Sequence, residues 1–306
     1  MSRLDPLRER QDYLDAVESE RERQLDNQER GSERDRVPEA TRAPARGQSP
    51  NVETPRPDIR FENSRSLVYD RDRGYRLRKS EIRTLVDLGK FRVAGAQDLA
   101  THAYGGHREE MLDDLRNLLR QGLVRKGIFE GPENTPRELL TLTKRGHRLL
   151  RANRVVPREQ AIYYGFVKPR EANHDADLFK LYQKEIARIL KKGGKNPRVV
   201  LDFELKRKIN RDIAKLGREA RPEIARSLGL RVVRGRIPVP DVCIEFEKPS
   251  GEMARVDLEL VTEHYRGRSL ADKVKAGFSL YTPRGEGDRL RRVLDQQELT
   301  AEILSL

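Results

Sequence analysis

Tryptophan is absent from the sequence, cysteine occurs once, and aromatic residues make up only 6% of the chain. The lone Cys243 excludes an intramolecular disulfide, and no Cys/His spacing suits a structural zinc. No apolar run approaches the length of a membrane span. Met1-Ser2-Arg3-Leu4-Asp5 leads into charge and not into the apolar core of a signal peptide, so a cytoplasmic location is expected. With 37% charged against 36% hydrophobic residues, part of the chain has too little apolar surface for a core. What is abundant is positive charge. The formal net charge is +13 and the pI about 9.9, which points to a polyanionic partner, nucleic acid ahead of an acidic membrane.

The excess is unevenly placed. Residues 1–36 hold eleven acids against eight bases, with Leu4, Leu7, Leu14, Val17 and Leu25 at partly heptad spacing. Gln11, Glu18 and Arg21 interrupt that seam, so a solvated helix is favoured over a coiled coil. Residues 37–60 supply five prolines among small and polar residues, the composition of a disordered linker. A tail over 1–60 is therefore expected to precede two folded regions, 61–156 and 157–306.

In the first region, 66–70 and 75–78 can form a small ribbon around Asp72-Arg73-Gly74. Ser80 is placed to cap a helix with the stripe Ile82, Leu85 and Val86, and Gly89 to end it. A short helix over 96–103 follows, then a third over 108–121 that buries Met111, Leu112, Leu115, Leu118 and Leu119. Its other face is expected to expose Glu109, Glu110, Asp113 and Asp114 beside Arg108, Arg116, Asn117 and Arg120. Two strands, 123–129 and 139–143, and a helix over 144–154 capped by Thr143 complete the region.

A connector over 155–169 carries Tyr163, Tyr164 and Phe166. A helix is expected from His174, with Leu178, Leu181, Ile186, Ile189 and Leu190 on one side, then a strand over 199–203. The next helix bears Lys206, Arg207, Lys208, Arg211 and Lys215, with Ile209, Ile213 and Leu216 as its apolar side. Residues 195–236 hold thirteen Lys or Arg against five Asp or Glu, an excess of eight. Such an excess suits a phosphate backbone, with a solvated helix face as the plain alternative.

Residues 236–261 read as a β-hairpin. Both arms alternate apolar and polar, and Pro249-Ser250-Gly251 suits a three-residue loop. With Lys248 opposite Glu252, Val242 faces Leu258, Ile244 faces Val256 and Phe246 faces Ala254. The charged face then pairs Glu245 with Arg255, Cys243 with Asp257, and Asp241 with Glu259. A helix over 269–281 and two closing helices, one with Leu290, Val293 and Leu294 and one with Leu299, Ile303 and Leu304, finish the chain. No apolar strand is legible over 282–287.

Three helices followed by a β-wing, with the segments GLV and LLTLTKRGHRLL, resemble a winged helix-turn-helix domain over 77–154. That resemblance implies DNA contact through His107, Arg108, Arg116 and Arg120 and through the wing residues Arg125 and Lys126, with protein contact as the alternative. Helix, strand, basic insertion, carboxylate hairpin and helix resemble a PD-(D/E)XK nuclease-like core. Together, over 77–281, the two resemble the replication-relaxation family of plasmids and other mobile elements. The resemblance implies an α+β protein: a disordered tail, an N-terminal winged helix domain and a nuclease-like α/β domain.

Its implied function is that of a DNA-binding accessory protein in replication or mobilisation. Double-stranded DNA is the expected partner, together with a relaxase or replication initiator. The matching residues are His174, Pro240-Asp241, Glu259 with Asp257 beside it, and Lys273. By the resemblance, Asp241 and Glu259, with Asp257, would bind Mg²⁺. Lys273 would position water or stabilise charge on the phosphate. Val261 stands where the family places a lysine two residues after the second acid. A Mg²⁺-dependent nuclease and a winged-helix transcriptional regulator remain the alternative readings, and a polar strand face the plain account of the carboxylates.

Overall fold

The computed structural model describes residues 64–131, 134–166, 168–261, 267–282 and 287–295, with 299, 301 and 303–305. The expected tail and linker over 1–60 lie outside them. Strands β1 (Ser66–Asp70) and β2 (Arg73–Leu77) form an antiparallel ribbon joined by Arg71-Asp72. Helix α1 (Lys79–Phe91) starts one residue before the expected Ser80 cap, because Glu81 reaches back to accept from the Arg78 backbone N–H at 2.7 Å. Gly89 lies inside α1 and does not end it. A Cβ there would stand 3.1 Å from Leu142 Cδ1, and the connector packs so closely that the Tyr163 N–H donates to the Gly89 carbonyl at 2.7 Å.

Strand β3 (Ala94–Gly95) leads to α2 (Ala96–Asp98), which runs on as a π turn over Leu99–Ala103, and then to α3 (Arg108–Arg120). Strands β4 (Val124–Glu130) and β5 (Pro136–Leu142) pair as a hairpin, and β5 also pairs with β3, giving the order β3-β5-β4. Helix α4 (Lys144–Ala152) is capped by Thr143, whose hydroxyl accepts from the Gly146 N–H at 3.2 Å, as expected.

Helix α5 (Pro169–Lys191) begins five residues before His174, with proline in its first turn. It crosses a five-stranded sheet of order β10-β9-β8-β7-β6. Strand β6 (Lys195–Leu201) stops earlier than expected because α6 (Asp202–Leu216) starts directly after it. A short α7 (Arg221–Ser227) follows, then β7 (Val242–Glu247) and β8 (Met253–Leu260). Their pairing has the register argued from alternation: Val242 opposite Leu258, Cys243 opposite Asp257, Glu245 opposite Arg255. Helix α8 (Gly267–Ala276) ends at Gly277, which takes φ of 92°, so 278–281 do not continue it. They enter β9 (Ser279–Thr282), parallel to β8. After α9 (Gly287–Asp295), the second expected closing helix is instead β10 (Ile303–Ser305), parallel to β9. Apolar runs this short have no period that separates strand from helix.

The expected boundary near 156 is crossed by one core. Leu178, Leu181, Tyr182 and Ile186 of α5 pack on Val242, Ile244, Leu258 and Leu260, while Phe91 of α1 meets Phe179 at 5.6 Å and Tyr182 at 4.9 Å between ring centroids. Gln160 closes the β6 edge. Its side-chain amide donates to the Val199 carbonyl at 3.0 Å and accepts from the Val199 N–H at 2.9 Å. On the other sheet face, Ile209 of α6 packs with Ile224, Ala225 and Phe278, whereas Leu216, expected in that stripe, is 64% exposed at the helix end.

Candidate functional site

The hairpin brings Asp241 and Glu259 together at one end of the sheet. Asp241 precedes β7 on the same face as Cys243, and Glu259 lies opposite it on β8. The Asp241 N–H donates to Glu259 Oε2 at 3.3 Å, and the Leu260 N–H donates to Asp241 Oδ2 at 2.9 Å. Lys273 of α8 joins them. Its Nζ lies 2.7 Å from Glu259 Oε1 and donates to the Val239 carbonyl at 2.6 Å. Glu259 is fully buried, so the ammonium supplies charge that water cannot.

His174 of α5 also comes near, its Nε2 3.8 Å from Asp241 Oδ1. Burial lowers the imidazole pKa, but the hydrogen bond and charge of Asp241 outweigh it and leave it raised. Next to it, burial pushes the Asp175 carboxyl up to about 6 against the opposing charge of Arg92, 3.6 Å away. Nothing in the spacing of the sequence marks Arg92 as part of this cluster. It ends α1 with φ of 67°, stacks on Phe203 at 4.4 Å and reaches across to α5.

The third expected carboxylate is drawn elsewhere: Asp257 Oδ1 accepts from Arg255 Nε at 2.7 Å, beside Cys243, whose thiol pKa burial raises. Among the described residues, no group of three or more His, Cys, Asp or Glu is arranged to hold a metal ion. Asp241, Asp257 and Glu259 therefore do not fit the Mg²⁺ set that the resemblance implies. Glu259 already has a cation at 2.7 Å, and both oxygens of Asp241 face protein donors.

The surface of α3 also differs from expectation. Asp114 and Asn117 are buried, not exposed: Asp114 accepts from the Tyr104 hydroxyl at 2.9 Å and Arg78 at 3.2 Å, and Asn117 donates to Glu81 at 2.9 Å. Asp113 turns toward Arg78 at 2.6 Å and Arg65 at 3.1 Å. Burial opposes ionisation there, and the two guanidinium bonds outweigh it, holding the carboxyl below its usual range. Two of the four acids expected to face the solvent are thus engaged by the ribbon and α1. His107, Arg108, Arg116 and Arg120 stay at the exposed surface, Arg116 3.5 Å from Asp113 and Arg120 bonded to Asn117 at 3.1 Å. Arg125 stacks over Phe166 at 5.1 Å and Lys126 pairs with Glu138 at 3.2 Å, so both wing bases have intrachain partners.

On α6, Lys206, Arg207, Lys208, Arg211 and Lys215 are all exposed. Lys206 pairs with Asp202 at 2.5 Å and Arg211 with Asp212 at 3.3 Å. Arg207, Lys208, Arg211 and Lys215 fall within an arc of about 100° at 3.6 residues per turn, opposite buried Ile209. Arg207, Arg211 and Lys215 are spaced one turn apart, about 6 Å of rise each. Lys208 also lines a cleft of about 530 Å³ between α6, α7 and the sheet, with Arg198 and Arg255 on its wall. No family model matches the chain, and neither a curated protein nor a solved structure matches it.

Proposed function

We propose that the protein binds double-stranded DNA as an accessory factor of a plasmid or integrative element, acting in replication or mobilisation. The observation that carries the DNA part is the exposed arc of Arg207, Lys208, Arg211 and Lys215 on α6, whose spacing suits successive phosphates. The order α1, β3, α2, α3, β4, β5, with β5 central in the small sheet, is the arrangement expected of a winged helix. In that reading Arg108, Arg116 and Arg120 of α3 face bases. The place in replication or mobilisation, and a relaxase or initiator as partner, rest on the resemblance of this pairing to the replication-relaxation family.

The convergence of Asp241, Glu259 and Lys273 favours a second reading, a DNA nuclease. Their internal pairing weighs against it, since Lys273 already balances the charge on Glu259 that would attract a metal.

The arc is tested by duplex binding over a range of salt. Replacing Arg207, Lys208, Arg211 and Lys215 by alanine, which α6 tolerates on propensity, weakens binding to all sequences. It also flattens the slope of log K against log salt by about 0.9 for each phosphate that is no longer neutralised. An unchanged slope removes the assignment. Supercoiled plasmid incubated with Mg²⁺ and the parent protein stays intact under the first reading and is cut under the second.

A further inference from the structure

We propose that the surface formed by the β1–β2 ribbon and α4 binds an unpaired DNA strand, with Tyr69 stacking on a base and the surrounding arginines on phosphates. This surface is separate from α6 and needs no part of the duplex reading.

Its charge is one-sided. Helix α4 and the two residues after it contain Lys144, Arg145, Arg148, Arg151 and Arg154 and no acid. Lys144, Arg148 and Arg151 follow an i, i+4, i+7 stripe on the exposed side. The ribbon is fastened beside it: Asn153 Nδ2 donates to the Tyr69 carbonyl at 2.8 Å, and Arg148 Nε to Asp70 at 2.5 Å. Asp70 is buried by that contact, leaving Asp72 as the exposed acid of the ribbon turn, between Arg71 and Arg73.

Two arginines sit where the backbone favours glycine. Arg71, in the ribbon turn, has φ of 55°, and Arg154, closing α4, has φ of 51°. Each adjoins a residue of the fastening, Asp70 or Asn153. Both side chains are exposed, and the Arg148–Asp70 and Asn153–Tyr69 bonds join the ribbon to α4. Arg92 and Arg234 share this conformation elsewhere in the chain, so it is the exposed charge of Arg71 and Arg154 that suits phosphate contact.

The aromatic component lies on the same ribbon. Tyr69 is 56% exposed, opposite Gly74 in the β1–β2 pairing. A Cβ at Gly74 would stand 3.1 Å from Leu67 and 3.2 Å from the Tyr69 ring, so the glycine lets that ring settle on the ribbon. A tyrosine already supported by backbone loses little freedom when a base stacks on it. At the far flank of α4, Tyr164 is also half exposed and stacks on His147 at 5.0 Å. A duplex hides its bases, whereas a single strand offers both base faces and phosphates to such a platform.

Anisotropy of fluorescein-labelled oligothymidine and of a blunt hairpin duplex, each with the full chain, tests the assignment. Tyr69→Ala weakens oligothymidine binding about tenfold, Tyr69→Phe restores it, and duplex affinity is unchanged. Arg71→Gly with Arg154→Gly lowers the single-strand salt slope by about 1.4, at about 0.7 per phosphate, while the melting temperature holds or rises. Three results would overturn the proposal: no oligothymidine binding by the parent, binding by Tyr69→Ala within about twofold of the parent, or equal losses on both probes. Failure of the α6 reading shows separately, as duplex binding that is absent or insensitive to the α6 substitutions.

Discussion

Around α1 and α3, Glu81 and Asp114 are fully buried and well supplied with donors. Glu81 accepts from Arg65 at 2.9 Å, Asn117 at 2.9 Å and the Arg78 N–H at 2.7 Å, and Asp114 from Tyr104 and Arg78. Around α5 and the larger sheet, Glu259 and Asp175 are met differently. Glu259 is met by Lys273 and the Asp241 N–H, and Asp175 has Arg92 at 3.6 Å while its buried Oδ2 accepts no hydrogen bond. The first arrangement spreads each charge over several partners and fastens the ribbon to α3. The second leaves Asp175 with its nearest guanidinium at 3.6 Å and a buried oxygen that accepts no hydrogen bond, which makes that neighbourhood the more sensitive to pH.

Removing Lys273 should have the largest effect. Lys273→Met leaves Glu259 buried without its charge partner and costs about 3–5 kcal/mol in urea unfolding. Adding Glu259→Gln in the same chain recovers much of that loss, and a double-mutant cycle reads the coupling. A loss below about 1 kcal/mol would show that the site does not depend on the lysine.

Asp175 sharpens the contrast through pH. Its folded pKa of about 6 lies above the ordinary 3.8, so between those values the folded protein keeps a proton that the unfolded chain has released. Stability therefore falls as pH rises from about 4 to about 6, by roughly 3 kcal/mol. His174, also raised, adds stability that is full below 6.5 and is lost as pH climbs through its higher folded value. Asp175→Asn should flatten the first fall and, by removing one of the charges that raise His174, shrink the second; a parent whose stability rises between about pH 4 and 6 would contradict the first.

The smallest effect is expected from Arg78→Met, about 1–2 kcal/mol, because Arg65 remains 3.1 Å from Asp113 and bonded to Glu81. A loss as large as that of Lys273→Met would erase the distinction between the two regions. The same variant should loosen the ribbon, read as faster amide exchange over β1 and β2.

The hairpin was legible because alternation of period two admits one register: slipping Val242 by one residue would oppose it to Asp257. The Thr143 cap and the helix over α3 were legible for similar reasons, each depending on residues a few positions apart. The short strands β9 and β10 were not, since three or four residues are too few to show a period and their pairing partners are set by the rest of the sheet. Nor could charge be assigned to a surface. In α3, Asp113 and Asp114 look as solvated as Arg116, and only the ribbon's Arg65 and Arg78, 35 to 49 residues away, turn them inward. The sequence by itself determined the basic excess, the hairpin register and the pairing of Asp241 with Glu259, all products of local spacing. The tertiary structure alone decided that Lys273 would neutralise Glu259 and that Arg65 and Arg78 would engage Asp113 and Asp114. Those outcomes depend on which distant donor comes within hydrogen-bond reach once water has been excluded.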